Sequence, residues 1–278
     1  MSARKHRGEE MERLNWSQLL AEAAAIVATY DTLVTLRQLF YRLVATGRLP
    51  NTINAYKALS RFTAEARRLG SFPALMDRTR TIHRHLTFDG PTEARAWLSS
   101  VYRRDRTAGQ KYSVYLGVEK AGLVAQVQEW FGELGVPILA LGGYGSQSYI
   151  DDVVKDVEGD GRPAVLLYAG DHDPSGEDID RDFVQRTDCW AEVRRVALTA
   201  GQVAEYSLPA QPGKVTDSRA ARFIERHGHL VQVELDALPP DVLRSLLLNA
   251  LSDWWDESAF DAAVERERRD RRTLRARA

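Results

Sequence analysis

Short apolar segments that alternate with helical patterns constrain this chain more than any other feature. Four segments have the composition of buried strands: YSVYLGVE, PILAL, PAVLLYAG and EVRRVAL. Helical patterns lie between them, over residues 123–134, 148–157 and 177–185. Strands that alternate with helices predict a mainly parallel sheet, whose functional groups collect at the carboxyl ends of the strands. We therefore expect an α/β domain in the C-terminal part of the chain.

The first third of the chain is helical in pattern and basic in charge. Three helical segments follow one another, and the third ends at Gly70. The later stretch DRTRTIHRHLTFDG suits the wing of a winged helix. Residues 35–106 hold fourteen Lys and Arg against five Asp and Glu, whereas residues 115–190 hold five against fifteen. A basic module joined to an acidic one predicts two domains. We place a winged-helix-like, DNA-binding domain at residues 1–108 and an α/β domain at residues 109–278.

Composition limits the compartment and the chemistry. The single cysteine, Cys189, excludes a disulfide framework and a cysteine metal cluster, which favours a reducing compartment. The first residues carry charge without a following apolar run, and no stretch approaches the ~20 apolar residues of a membrane span. We expect a cytoplasmic, nucleoid-associated protein that does not contact a membrane.

An unusual concentration of acid follows the third apolar segment, in AGDHDPSGEDI. On an extended backbone, Asp171 and Asp173 leave the same face and His172 leaves the other. Glu177 and Asp178 suit the first turn of the next helix, where negative charge favours the helix dipole. That explanation does not cover the two aspartates. Two carboxylates held close together share a proton or bind a cation, and such oxygen ligands suit Mg²⁺.

A further acid is expected at the same edge of the sheet. Glu119 ends the strand VYLGVE, and a parallel sheet would set it beside the aspartates. We therefore predict a Mg²⁺ site made by Glu119, Asp171 and Asp173. The stretch DHDPSGEDIDRD also matches the offsets of a calcium-binding loop, with Asp171, Asp173, Ser175, Gly176 and Asp182. That loop needs a preceding helix, however, and PAVLLYAG is typical of a strand.

The spacing Glu119…Asp171-x-Asp173-x-x-Gly176 resembles that of the Toprim domain. The stretches VEKAGL, GGYG and AGDHDPSGEDI are similar to those of the topoisomerase VI A-subunit family, most of all to its short Topo mini-A members. After GG the chain has YGSQSYIDD, where larger members carry a Pro-Asp and then a Thr-Arg pair. The resemblance implies that Glu119 is a general acid/base or metal ligand and that Asp171 and Asp173 hold Mg²⁺.

The same family carries an Arg-x-x-aromatic-Tyr motif, which RQLFYR matches with Arg37, Phe40 and Tyr41. Helical periodicity sets Tyr41 about 130° from the apolar stripe and one turn after Arg37, so the pattern does not predict it in the core. The resemblance implies that Tyr41 is the nucleophile. Arg37 would then favour the phenolate and steady the phosphate. In the family, tyrosine and metal come from different subunits, which implies a homodimer.

Several basic side chains are candidates for contact with DNA. Lys57, Arg61 and Arg68 lie along one side of the third helical segment, where they suit phosphate contacts or an ordinary solvated face. Lys120 follows Glu119, and His172 lies between the two aspartates. We predict that all five contact double-stranded DNA.

Together with these features, the resemblance implies a topoisomerase-like enzyme that cleaves DNA by Mg²⁺-dependent tyrosyl transesterification. Two alternatives remain open. In the first, a hydrolytic Toprim nuclease uses metal-activated water and Tyr41 is incidental. In the second, the chain is a DNA-binding subunit that is inactive without a partner. No Gly-rich phosphate loop of the required form is present, so ATP-driven strand passage would need a separate B-type ATPase subunit.

Overall fold

The computed structural model describes residues 15–76, 85–213 and 216–276, which form two compact units. The first unit contains the described residues of Met1–Asp77, Gly170–Glu177 and Ala197–Ser245, and the second those of Arg78–Ala169, Asp178–Val196 and Leu246–Ala278. The predicted boundary near residue 108 lies inside the second unit. The division into residues 1–108 and 109–278 stays a prediction.

The first unit begins with three helices: α1 (Trp16–Ala28), α2 (Leu36–Ala45) and α3 (Ile53–Arg68). Each helix is capped at its start by a polar side chain, which accepts a hydrogen bond from an N–H group in the first turn. The capping residues are Asn15, Thr35 and Thr52. The helices pack on one another through their apolar faces. The three predicted helices are thus confirmed. Residues 77–84 of the predicted wing lie outside the described residues, so the winged helix stays a prediction.

The remainder of the first unit is built from short elements. The described elements are α8 (Ala200–Glu205), β5 (Gln211–Pro212), α9 (Ala220–His227), β6 (Val231–Gln232) and a 3₁₀ helix (Leu235–Ala237). Strands β5 and β6 pair antiparallel. His172 and Val233 form one antiparallel bridge beyond them. The predicted strand LVQVEL is therefore only partly a strand, because its end turns into the 3₁₀ helix.

The sheet belongs almost wholly to the second unit. Its strands are β1 (Ser113–Val118), β2 (Ile138–Ala140), β3 (Ala164–Ala169) and β4 (Glu192–Ala197), in the order β2-β1-β3-β4. Strands β2 and β3 both pair parallel with β1, and Val118 is in register with Ala169. All six residues of β1 and of β3 are buried, as expected for central parallel strands. The prediction of an α/β chain with a mainly parallel sheet is confirmed.

The other helices precede, separate or follow these strands along the chain. They are α4 (Pro91–Val101), α5 (Ala121–Phe131), α6 (Gln147–Asp160), α7 (Pro174–Thr187), α10 (Pro240–Ser252) and α11 (Glu257–Ala276). A short 3₁₀ helix, Gly132–Leu134, extends α5. Within residues 15–76, 85–213 and 216–276, no helix is long and apolar enough to cross a membrane.

A buried ion pair attaches the basic C-terminal helix to the rest of the second unit. The Arg106 guanidinium donates twice to Glu267, at 3.0 and 2.7 Å. The Glu267 side chain is only 1% exposed. Arg106 also donates to the Glu133 carboxylate at 2.5 Å. The composition of the C-terminal helix is typical of a solvated helix. The buried Arg106–Glu267 ion pair nevertheless fixes this helix to the second unit.

Replacing Glu267 by alanine is expected to lower the free energy of unfolding by about 3 kcal/mol, the low end for a broken buried ion pair, because Arg106 loses its bidentate partner but keeps Glu133. Hydrogen bonds from Arg106 hold the pKa of Glu267 below its ordinary value of 4.5. The difference from wild type should therefore persist above that pH and shrink as the pH falls below it. Urea unfolding followed by circular dichroism measures it. The control, Glu265→Ala on the exposed side of α11, should change stability by less than about 0.5 kcal/mol; equal effects would contradict the assignment.

Candidate functional site

The two aspartates after β3 are buried and oriented by backbone N–H groups of the first unit. Asp171 is 8% exposed and Asp173 is 7% exposed. The Leu235 N–H donates to Oδ1 of Asp171 at 2.8 Å, and the Gly176 N–H donates to Oδ1 of Asp173 at 2.7 Å. Each bond orients its carboxylate. By the chemistry of its hard oxygen atoms, the buried pair fits Mg²⁺.

Asp173 also has a structural role. It immediately precedes Pro174, the first residue of α7, and its bond from Gly176 caps the helix N-terminus. Asparagine would keep this cap and remove the charge. An Asp173→Asn variant therefore separates the charge of the residue from its role in starting the helix.

Tyr41 is buried, contrary to the expectation from helical periodicity. Only 6% of its surface is exposed. The apolar stripe of α2 marks only the face that packs on α1 and α3. The 3₁₀ helix Leu235–Ala237 packs against α2 as well. Residues almost two hundred positions later thus cover a surface that the local pattern leaves in solvent.

Glu234 joins the two residues of the predicted catalytic motif. Its carboxylate forms an ion pair with Arg37 and lies near enough to the Tyr41 hydroxyl to raise the pKa of that group. Burial raises the pKa of Tyr41 well above its ordinary value of 10.0, and the negative charge of Glu234 raises it further. Arg37 acts in the opposite direction but does not prevail. Arg37 thus favours the phenolate, as expected, but burial and then Glu234 outweigh it. Its predicted catalytic role stays a prediction.

One short segment contacts both the tyrosine and the acidic strand tip. Glu234 reaches Tyr41 and Arg37 through its side chain, while the next residue, Leu235, reaches Asp171 through its N–H. All of these residues belong to the first unit. The segment therefore anchors the predicted nucleophile and one predicted metal ligand through adjacent residues.

His172 faces a different set of neighbours. It is 2% exposed, and its ring packs against Phe223 and His227 of α9, with centroids 5.1 and 4.8 Å away. His227 Nε2 lies 2.6 Å from Oε1 of Glu177. This burial favours an interior role for His172 over phosphate contact, which stays a prediction. The sequence analysis does not identify Glu234 or His227, and it gives Glu177 only a helix-dipole role. Their partners lie about fifty to two hundred residues away along the chain, beyond the range of local patterns.

In the second unit, the loop after β2 passes close to the end of β1. The Glu119 N–H donates to the Ala169 carbonyl at 2.9 Å, which extends the pairing of β1 with β3. A Cβ atom at Gly142 would lie 2.9 Å from the Glu119 carbonyl oxygen, so the first glycine of GGYG is required for this approach. Glu119 and Lys120 are half-buried. Their predicted roles in metal and DNA binding stay predictions.

The basic residues predicted on the third helix lie on an exposed face. Lys57, Arg61 and Arg68 are all exposed on α3. The Arg61 guanidinium lies 4.6 Å from the ring centroid of Phe62, which in turn stacks on Trp16 at 4.2 Å. The face therefore offers cationic groups to solvent, one of them supported by aromatic stacking.

The chain matches no protein-family model, and no curated protein shows significant sequence similarity to it. Its resemblance to Toprim proteins therefore stays a prediction carried by the residues quoted above.

Replacing Glu234 by glutamine is expected to lower the pKa of Tyr41. The substitution removes the negative charge that disfavours the phenolate, and it leaves Arg37 free to favour it. The absorbance of tyrosinate during an alkaline titration measures this, with the matching Tyr41→Phe variant subtracted to isolate Tyr41. Glu225→Gln on the exposed side of α9 is the control and should leave the titration unchanged. An unchanged or higher pKa in Glu234→Gln would show that Glu234 does not control the phenol.

Proposed function

We propose that the protein binds double-stranded DNA and cleaves it by tyrosyl transesterification that depends on Mg²⁺, as an A-subunit-like topoisomerase would. The observation that carries the proposal is the shared anchor of Tyr41 and Asp171. Glu234 pairs with the Arg37 guanidinium and acts on the pKa of the Tyr41 hydroxyl, and the Leu235 N–H bonds to Asp171. A nucleophile, a cation for phosphate and a metal-binding acid thus depend on one segment.

The reaction would exchange one phosphodiester for another. The Tyr41 oxygen attacks a backbone phosphorus, an O–P bond forms, and the bond from phosphorus to the 3′ oxygen breaks. The phenol proton moves to the Glu234 carboxylate, whose charge already acts on the hydroxyl, and the departing 3′ oxygen takes up a proton from solvent. Mg²⁺ held by Asp171 and Asp173 supplies charge stabilisation at the phosphate when bound. The protein is left on the 5′ end beside a free 3′-hydroxyl.

Arg37 links this chemistry to DNA binding. Without DNA, its charge is paired with Glu234. A DNA phosphate would compete for the guanidinium, which binds phosphate well because of its planar set of donors. Once Arg37 turned to the phosphate, Glu234 would be a stronger proton acceptor for Tyr41. Before that, the raised pKa of Tyr41 keeps the phenol protonated and unreactive.

Burial of Tyr41 favours one alternative, a hydrolytic nuclease. A side chain that is 6% exposed must move before it can reach a DNA phosphate. Attack by metal-activated water beside Asp171 and Asp173 would not require the tyrosine to reach the phosphate. The two reactions differ in their products, because hydrolysis leaves ends that carry no protein.

The proposal includes two protein partners that the resemblance implies. A second copy of the chain would let a double-strand break form from two single-strand cleavages. A separate ATPase subunit of the B type would supply ATP-driven strand passage. Without such a partner, the chain would act as a DNA-binding subunit.

Cleavage of supercoiled plasmid in Mg²⁺, quenched with SDS and analysed with and without protease, tests the chemistry. Wild type should give breaks whose ends carry protein. Tyr41→Phe should reduce them by more than about 1,000-fold, because it removes the nucleophile. Asp171→Asn, which keeps an acceptor for the Leu235 N–H, should reduce them as well.

Tyr56→Phe is the matched control, because Tyr56 packs on Phe40 in the same unit and should be dispensable. Protein-free breaks that survive Tyr41→Phe but not Asp171→Asn would replace the proposal with the hydrolytic alternative. A complete lack of breaks, with DNA binding intact, would favour the subunit that needs a partner.

The exposed face of α3 should set the salt dependence of DNA binding. Changing Lys57, Arg61 or Arg68 to glutamine is expected to reduce the slope of log K against log salt by about 1 for each side chain that neutralises a DNA phosphate in the wild-type protein. Fluorescence anisotropy with a duplex over a range of salt concentrations measures the slope. Lys155→Gln, an exposed lysine of α6, is the control for simple loss of charge. Equal slopes for all four variants and wild type would exclude this face as the surface that binds DNA.

A further inference from the structure

Three side chains from separate parts of the first unit converge beside the acidic tip. His172 follows β3, Glu177 lies in the first turn of α7, and His227 ends α9. Each offers one ligand atom, and these atoms all lie within 4.8 Å of one another. We propose that His172, Glu177 and His227 bind one divalent transition-metal ion of the Zn²⁺ type. This inference does not depend on the proposed DNA cleavage.

The donor set selects the class of metal. Two imidazole nitrogens and one carboxylate oxygen are ligands that suit Zn²⁺ and its neighbours, whereas Mg²⁺ prefers oxygen alone. Three protein ligands around Zn²⁺ leave a fourth position for water or another ligand. The site therefore differs in chemistry from the aspartate pair, although His172 lies between Asp171 and Asp173 in sequence.

The distances require only small movements of side chains. His227 Nε2 and His172 Nδ1 lie 2.6 and 3.8 Å from the same atom, Oε1 of Glu177. In a tetrahedral site with ligands roughly 2.0–2.2 Å from the ion, the ligand atoms stand about 3.3–3.5 Å apart. The pair at 2.6 Å must open by a little under about 1 Å to admit an ion of this size.

The surroundings hold the three ligands in place. The His172 backbone is bonded to Val233 in both directions, at 2.9 and 3.1 Å. The Arg226 guanidinium donates to Oε2 of Glu177 at 3.1 Å, which leaves Oε1 directed at His227. The Phe223 ring lies against both imidazoles, with centroids 5.1 and 4.5 Å away. Such outer contacts orient metal ligands and raise affinity.

A plain ion-pair cluster is the competing explanation. Glu177 already pairs with Arg226 and His227. A cluster of this kind would stabilise the end of α9 without binding a metal. The two explanations differ in one measurable property, because only a metal site gives stoichiometric binding that depends on all three side chains.

The test is calorimetric titration of the full-length protein, freed of metal by chelation, with ZnCl₂ in the presence of excess MgCl₂. Wild type should bind one Zn²⁺ that excess Mg²⁺ does not displace. Glu177→Gln and His227→Gln should each weaken binding by more than about 100-fold, since loss of a direct ligand exceeds the 10–100-fold cost of an outer-shell change. His229→Gln is the matched control, because His229 is exposed two residues beyond His227.

X-ray absorption at the zinc edge of the wild-type protein provides a second readout that needs no variant. It should show two imidazoles and an oxygen ligand. The proposal is overturned if wild type binds no zinc, if His227→Gln binds it as tightly as wild type, or if the absorption spectrum lacks imidazole. Circular dichroism of each variant checks its folding. If a variant is misfolded, the X-ray absorption spectrum of the wild-type protein alone tests the proposal. Plasmid cleavage is scored separately, so failure of either proposal leaves the other intact.

Discussion

Two backbone hydrogen bonds between His172 and Val233 are the constraint on which the candidate site depends. They set the residues after β3 in register with the segment that runs from Val233 into the 3₁₀ helix. In that register the Leu235 N–H reaches Asp171, and the Glu234 side chain reaches α2. Because side chains alternate along an extended backbone, a slip of one residue would direct Glu234 away from Tyr41.

This register also explains how so many acids coexist near one point. Each buried or half-buried carboxylate of this group has its own partner. Asp171 and Asp173 accept from backbone N–H groups, and Glu234 and Glu177 pair with arginines. Such bonds to an ionised carboxylate are stronger than bonds between neutral groups. These partners offset the mutual repulsion of the carboxylates locally.

The elements of the sheet were predictable because each follows from local periodicity. The buried runs of β1 and β3 have the continuous apolar character of central parallel strands, and the polar caps of α1 to α3 mark where those helices start. The burial of Tyr41 was not predictable in this way. Its cover comes from Leu235–Ala237, and helical periodicity within α2 contains no information about that packing.

Local patterns in the chain establish the α/β order of elements, the position of Asp171 and Asp173 directly after a buried strand, and the basic face of α3. The approach of Glu234 to Tyr41, and of His172 to Glu177 and His227, follows only from long-range packing. The two kinds of information differ in their range along the chain. Periodicity and capping act within a few residues along the chain, whereas ion pairs and ligand sets join side chains that packing brings together from about fifty to two hundred residues apart.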